Sequence, residues 1–124
     1  MAHFELTVGG YFEAALRIAD GEPPDHELHG RRFEVEVTFG GGKLNRLGML
    51  ADERKLRAAL AEVLSQLDHT YLNERPEFAE TNPTAEKVAK LVYERMTPVA
   101  GEFGLALSEV GVRLHPDARV SYRP

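Results

Sequence analysis

Asp68 and His69 stand side by side in the stretch Leu67-Asp68-His69-Thr70-Tyr71-Leu72-Asn73, and together they can form a proton relay. A neighbouring carboxylate fixes a histidine's tautomer and raises its basicity, which suits the pair to general acid–base work. The same two residues can equally be a turn cap and a surface imidazole. Which role they take depends on the elements that hold them and on what else those elements bring close.

The chain has 124 residues, 28% of them charged and 43% hydrophobic, as expected of one soluble globular domain spanning 1–124. No apolar run approaches the ~20 residues needed to cross a bilayer, so no membrane partner is expected. Met1-Ala2-His3-Phe4-Glu5 has no basic region followed by an apolar one, so it does not read as a signal peptide. Cysteine is absent, which excludes disulfides, zinc–thiolate sites and a cysteine nucleophile; the expected location is cytoplasmic. A net charge of −5 with no basic stripe argues against nucleic acid as a partner. Two basic clusters, Arg31-Arg32 and Arg113, Arg119 and Arg123, read as solvated strand edges.

Apolar or small residues occupy every second position from Phe4 through Ile18, the period of a long strand, with Gly9-Gly10 suggesting a bulge or bend. Asp20-Gly21-Glu22-Pro23-Pro24-Asp25 is turn chemistry. Phe33, Val35, Val37 and Phe39 alternate with Glu34, Glu36 and Thr38, giving a second strand with one wet face. Gly40-Gly41-Gly42-Lys43 lacks the spacing of a phosphate-binding loop and reads as a flexible connection. Leu56, Leu60, Val63, Leu64 and Leu67 mark one face of a helix that starts at Asp52-Glu53. A polar loop should follow through Thr81. A second helix begins near Asn82-Pro83-Thr84, capped by Asn82 or by Thr84, buries Ala85, Val88, Ala89, Val92 and Met96, and is expected to end at Pro98 and Gly101. Two strands close the chain. Leu105 and Leu107 are expected to share a face with Glu109, with Val110 and Val112 opposite. The expected fold class is α+β: a four-stranded antiparallel sheet with two helices on one face, in the order ββααββ, and open outer strands that invite other subunits.

This order and its motifs resemble the 6-pyruvoyl-tetrahydropterin synthase and 6-carboxytetrahydropterin synthase family, small proteins of the tunnelling fold. Phe12-Glu13-Ala14-Ala15-Leu16 sits where the family has F-x-A-A-H, and His29-Gly30-Arg31-Arg32-Phe33 where it has H-G-H-x-[YF]. Gly48-Met49-Leu50-Ala51-Asp52 matches G-M-[VL]-x-D, Leu67 to Asn73 matches L-D-H-x-x-L-N, and Asn82 to Glu86 matches N-P-T-x-E. The resemblance covers nearly the whole chain.

In that family three histidines hold a catalytic zinc, which acidifies C–H bonds of the pterin side chain. Here the resemblance puts Leu16, His29 and Arg31 at those positions. Leu16 has no donor atom, and a guanidinium stays charged and cannot ligate, so His29 is the one retained ligand position. His26 is a substitute ligand at the spacing His26-x-x-His29, but no third ligand is in sight. The expectation is no metal and no cofactor. Asp25 stands where the family has its cysteine base, either as a general base or simply as a turn residue. The resemblance makes Glu109 the carboxylate that accepts from the pterin's amine and ring N–H. It makes Thr84 a ring contact as well as a helix cap, and Asp68 with His69 the proton relay. Arg31 would hold an anionic or hydroxylated ligand side chain in place of zinc.

Two functions follow. One is a zinc-independent lyase acting on a dihydropterin, with His69, Asp68 and Asp25 catalytic and Glu109, Thr84, Arg31 and His29 binding substrate. The other is a catalytically inactive binding or structural member of the family. Both imply a small pterin or related heterocycle as ligand and a homo-trimer or homo-hexamer whose sites lie between subunits.

Overall fold

The computed structural model describes residues 3–124. Strands β1 (Phe4–Leu16) and β2 (His29–Gly41) form a hairpin, helices α1 (Glu53–Ser65) and α2 (Ala85–Glu102) follow, and β3 (Ala106–His115) and β4 (Ala118–Tyr122) close the chain. The sheet is antiparallel with strand order β1-β2-β3-β4. Both helices cover one face, as the order of elements predicts.

Alternation decides which face is covered. Phe12 and Phe33 are register partners whose rings stack at 4.6 Å. With Val8, Leu16, Val35, Val37, Phe39, Val110 and Val112 they form the buried face. Leu56, Leu60 and Leu64 of α1 and Val88, Val92 and Met96 of α2 close over it. Burying one such side chain contributes about 1.5–3 kcal/mol, so the sheet–helix seam is the main source of stability. The other face carries Glu5, Thr7, Glu36, Thr38, Glu109 and Arg119 and stays polar.

Four expectations need correction. Gly9-Gly10 makes no bulge: the β1–β2 register runs unbroken from Phe4↔Gly41 to Leu16↔His29. Gly10 instead lets α1 approach, since a Cβ there would stand 3.0 Å from Leu64 Cδ1. The irregularity lies between β2 and β3, where the register shifts between Thr38 and Phe39. Phe39 then pairs with Leu107 while Thr38 pairs with Glu109, so Leu105 and Leu107 pack against the core and Glu109 faces the polar side. One extra residue reverses the parity that simple alternation assigns.

The second helix runs through Pro98 and Gly101 to Glu102. Pro98 is exposed, so the carbonyl that it deprives of a helical partner can reach water. The stop is Gly104, at φ 68°, where Gly104 N–H donates to the Gly101 carbonyl and Leu105 N–H to the Ala100 carbonyl. This six-to-one and five-to-two pairing satisfies the last carbonyls and needs a left-handed residue. At the other end Thr84, not Asn82, is the cap: its hydroxyl accepts from the Lys87 N–H.

The stretch before α2 is more ordered than a polar loop. Two 3₁₀ turns, Leu72–Glu74 and Pro76–Phe78, bury Leu72 and Phe78. Glu77 fastens them to α2 by accepting from Arg75 and Arg95, both at 3.0 Å. The Arg75 guanidinium first, then Arg95, hold the Glu77 carboxyl down at about 2, below its ordinary 4.5. A depressed folded pKa gives stability that is present above the unfolded value and lost as pH falls through the folded one. Glu77→Gln is therefore expected to lower the urea midpoint at pH 7, and the gap from wild type should close between pH 4.5 and pH 2. A gap that stays constant over that window would refute the assignment.

Candidate functional site

Residues 13 and 15 of β1, and 17 and 19 just beyond its end, leave backbone groups that β2 does not pair. The segment after α1 meets them in order. Asp68 Oδ1 accepts from the Glu13 N–H at 2.9 Å, and the His69 N–H donates to the Glu13 carbonyl at 2.6 Å. The Ala15 N–H donates to the Thr70 carbonyl. The Asn73 amide accepts from the Arg17 N–H and donates to the Arg17 carbonyl, both at 2.9 Å. Asn82 does the same for Ala19, at 2.9 and 3.3 Å. Side-chain carboxylate and amide groups, with one isolated bridge between Ala15 and Tyr71, thus complete a strand edge that no neighbouring strand pairs among the described residues.

These bonds fix the relay pair. His69 sits at φ 57°, a left-handed conformation that costs a non-glycine residue energy and is held by its bond to Glu13. Its Nδ1 lies 2.8 Å from Asp68 Oδ2. The Glu13 N–H first, then the His69 ring, hold the Asp68 carboxyl below the usual carboxylate range. An anionic Asp68 accepts a hydrogen bond from Nδ1–H, and in that tautomer Nε2 is the ring's acceptor. The ring is 78% exposed. It borders a cleft of about 580 Å³ lined also by Glu13, Ala15, Gly30, Arg32 and Tyr71.

A second, smaller cleft of about 190 Å³ gathers Leu16, Asp25, His29, Arg31, Thr84 and Leu114. Asp25, His29, Arg31 and Thr84 are thus brought together as the sequence suggests. Within one chain His69 is not among them; Arg31 is in the lining of both clefts. Leu114 lies beyond the last β2–β3 pair, Glu34↔Arg113, and at the β3–β4 register shift, and its carbonyl accepts from Arg31 at 3.1 Å, a contact that alternation along one strand does not show.

The donor set at the family's zinc position does not fit the ion. Leu16 is aliphatic and 2% exposed. Arg31 is cationic and bonded to Leu114. The His29 Nδ1 meets the Glu27 carbonyl at 2.7 Å, leaving one imidazole nitrogen. His26 is not in the lining of this cleft, and its Nδ1 is buried without a hydrogen-bond partner among the described residues. Catalytic zinc sites use three protein ligands, and one nitrogen is not enough.

Glu109 stands apart from both clefts. It lies on the polar face of β3, not on the apolar bed expected for a flat ring, because of the register shift at Thr38. Arg119 donates to its Oε1 at 2.8 Å and Arg123 binds Oε2. Arg119 first, with Arg123 adding to it, holds the Glu109 carboxyl below its ordinary range. Both oxygens are occupied, so a ring docking there must displace an arginine. The C-terminal arginines are therefore not simply a solvated edge. Arg119 crosses β3 to reach Glu36 on β2 at 3.1 Å, and it can do so because Gly111 lies beneath it: a Cβ there would fall 2.1 Å from the guanidinium. Gly111→Ala should push Arg119 off both carboxylates and destabilise by about 1 kcal/mol, the scale of a partly exposed ion pair. In an Arg119→Met background most of that cost should vanish; additive effects in urea unfolding would refute the coupling.

The chain's relatives share this architecture. The family model described as 6-pyruvoyl tetrahydropterin synthase matches residues 5–124. A putative 6-carboxy-5,6,7,8-tetrahydropterin synthase from Archaeoglobus fulgidus is 33% identical over 112 residues, covering 90% of this chain and 89% of that protein. Among solved structures, the Caenorhabditis elegans 6-pyruvoyl tetrahydropterin synthase superposes with a TM-score of 0.80 at 23% identity, over 100% of this chain and 97% of that one. The Plasmodium vivax 6-pyruvoyltetrahydropterin synthase gives 0.76 at 16% identity, over 98% of each. Those two likenesses speak to the fold alone. No helix among the described residues is long and apolar enough to cross a membrane. The family model spanning nearly all of the sequence and the archaeal relative together place this chain in the 6-pyruvoyl tetrahydropterin synthase family.

Proposed function

We propose that the chain binds a reduced pterin-type heterocycle and performs a lyase-type proton transfer through His69 without zinc. The observation that carries the reading is the Asp68–His69 pair, locked to β1 and open to solvent at Nε2. Asp68 fixes the tautomer, and Nε2 takes a proton from carbon or oxygen and returns it. The names of the relatives support the pterin class. Asp25, at the edge of the small cleft, is the second candidate base, and His29 and Thr84 are the polar contacts beside it. Glu109 serves the ring only if Arg119 and Arg123 yield its oxygens.

Because His69 and the small cleft do not converge within one chain, the reading places the ligand where copies meet, in a homo-trimer or homo-hexamer. The free N-terminal half of β1 and the outer edge of β4 support such pairing. A second reading, a binding member with no chemistry, is favoured by Leu16 and Arg31 at two zinc positions.

Incubation with dihydroneopterin and with its triphosphate, before and after chelation, tests the proposal. Wild type should turn over one of them at a rate that chelation leaves unchanged, and His69→Ala should slow it about 10²–10⁴-fold with an unaltered melting curve. Activity lost on chelation and restored by zinc would overturn the metal-free mechanism. Binding without turnover would favour the second reading.

A further inference from the structure

Arg31 is a half-buried cation in a cleft, and among the described residues it forms no salt bridge. Its neighbours on the strands are treated differently: Arg32 pairs with Glu34, and Arg119 with Glu36 and Glu109. One Nη2 donation, to the Leu114 carbonyl, orients the guanidinium and leaves further N–H donors unassigned. A half-buried guanidinium with N–H donors to spare and no carboxylate in ion-pair contact is able to take an oxyanion that arrives with the ligand.

The surroundings narrow the anion. Leu16, Ile18 and Leu114 make one side of the cleft apolar, which strengthens charge-assisted hydrogen bonds inside it. Asp25 and Glu86 stand in the same lining, so a single positive charge faces two carboxylates. Any anion there meets those two carboxylates, and a polyphosphate, with its several charges, meets the stronger repulsion. A lone carboxylate matches the planar fork of a guanidinium and carries one charge. The cleft is also small, about 190 Å³.

We infer that Arg31 is the specificity-determining anchor for a carboxylate on the ligand's side chain, taking the place that a metal would otherwise hold. The inference rests on the ring-binding reading above and adds to it the group that selects the side chain. Asp25 and Glu86 are left to accept from N–H or O–H groups next to that acid.

The test compares pterin-6-carboxylate with unsubstituted pterin by fluorescence titration, and pyruvate with tripolyphosphate by the NMR response of the Arg31 Nε–H. Wild type should prefer pterin-6-carboxylate by about ten- to a hundredfold, the range of a hydrogen bond to a charged group. Arg31→Met should erase that preference, and Arg31→Lys should keep part of it. Arg31→Lys also serves as the informative variant if the methionine form does not fold. Equal wild-type affinities for the two pterins would overturn the inference and leave the ring reading intact. If neither pterin binds but pyruvate still perturbs the Arg31 resonance, the anchor stands and the ring reading falls. No response to any of the probes overturns both. A stronger response to tripolyphosphate than to pyruvate overturns the choice of a carboxylate.

Discussion

The free edge of β1 is the constraint on which the rest of the molecule depends. A strand edge presents unpaired N–H and C=O groups, and each one left bare and shielded from water costs energy. Here the chain closes the C-terminal end of that edge itself. Asp68, His69, Thr70, Asn73 and Asn82 meet residues 13 to 19 one after another. Each of the two asparagines does the work of a missing peptide group, accepting and donating to one backbone residue. The segment between α1 and α2 is thereby pinned along its length, and its buried Leu72 and Phe78 are carried into place. The Asp68–His69 contact is a by-product of this closure: Asp68 uses one carboxylate oxygen to hold the strand and the other to hold the imidazole. Structural and chemical roles cannot be separated by deleting Asp68, since its loss frees both.

The same logic explains why the two sides of the sheet behave differently. The helix side is filled by aliphatic and aromatic side chains and has no room for chemistry except at the rim, where β1 and β2 run beyond the helices. That rim is where Leu16, His29 and Arg31 face the start of α2. The polar side is crossed by Arg119, which ties β4 to β2 across Gly111. Its acids lie largely on β1 and β2, with Glu5, Glu13, Glu34 and Glu36, and its cations largely toward β4, with Arg113, Arg119 and Arg123. Glu109 is the exception, and the arginines surround it.

Much of this was readable from residue order alone. Periods of two and 3.6 placed both hairpin strands and both helices, and the buried residues of α2 agree with the periodic reading. The Asp-His pair and the Asn82-Pro83-Thr84 start were visible as motifs. What alternation could not show was a one-residue slip. The β2–β3 shift reversed the side of Leu107 relative to Glu109, and Leu114, at the shift before His115, offers its carbonyl to Arg31. Register is a pairwise property of two strands, so neither strand's own sequence carries it. Proline misled for a different reason: it disfavours a helix interior without forbidding it, and at exposed Pro98 the stranded carbonyl can be met by water.

The metal-free reading proposed above rests on these constraints. Removing one zinc ligand leaves a weak site, whereas replacing two with an aliphatic chain and a guanidinium leaves a different one. Leu16 is sealed into the core, so it contributes dryness and nothing polar. Arg31 keeps positive charge near the position where the ion would have supplied it, but with a fixed direction set by Leu114. A metal polarises whatever oxygen reaches it and lowers the pKa of an adjacent proton; a guanidinium binds an oxyanion already formed and polarises far less. In the proposed function such a change shifts the burden of proton abstraction onto the general base. The Asp68–His69 pair is rigidly held to β1, as a base that must act without a metal needs to be.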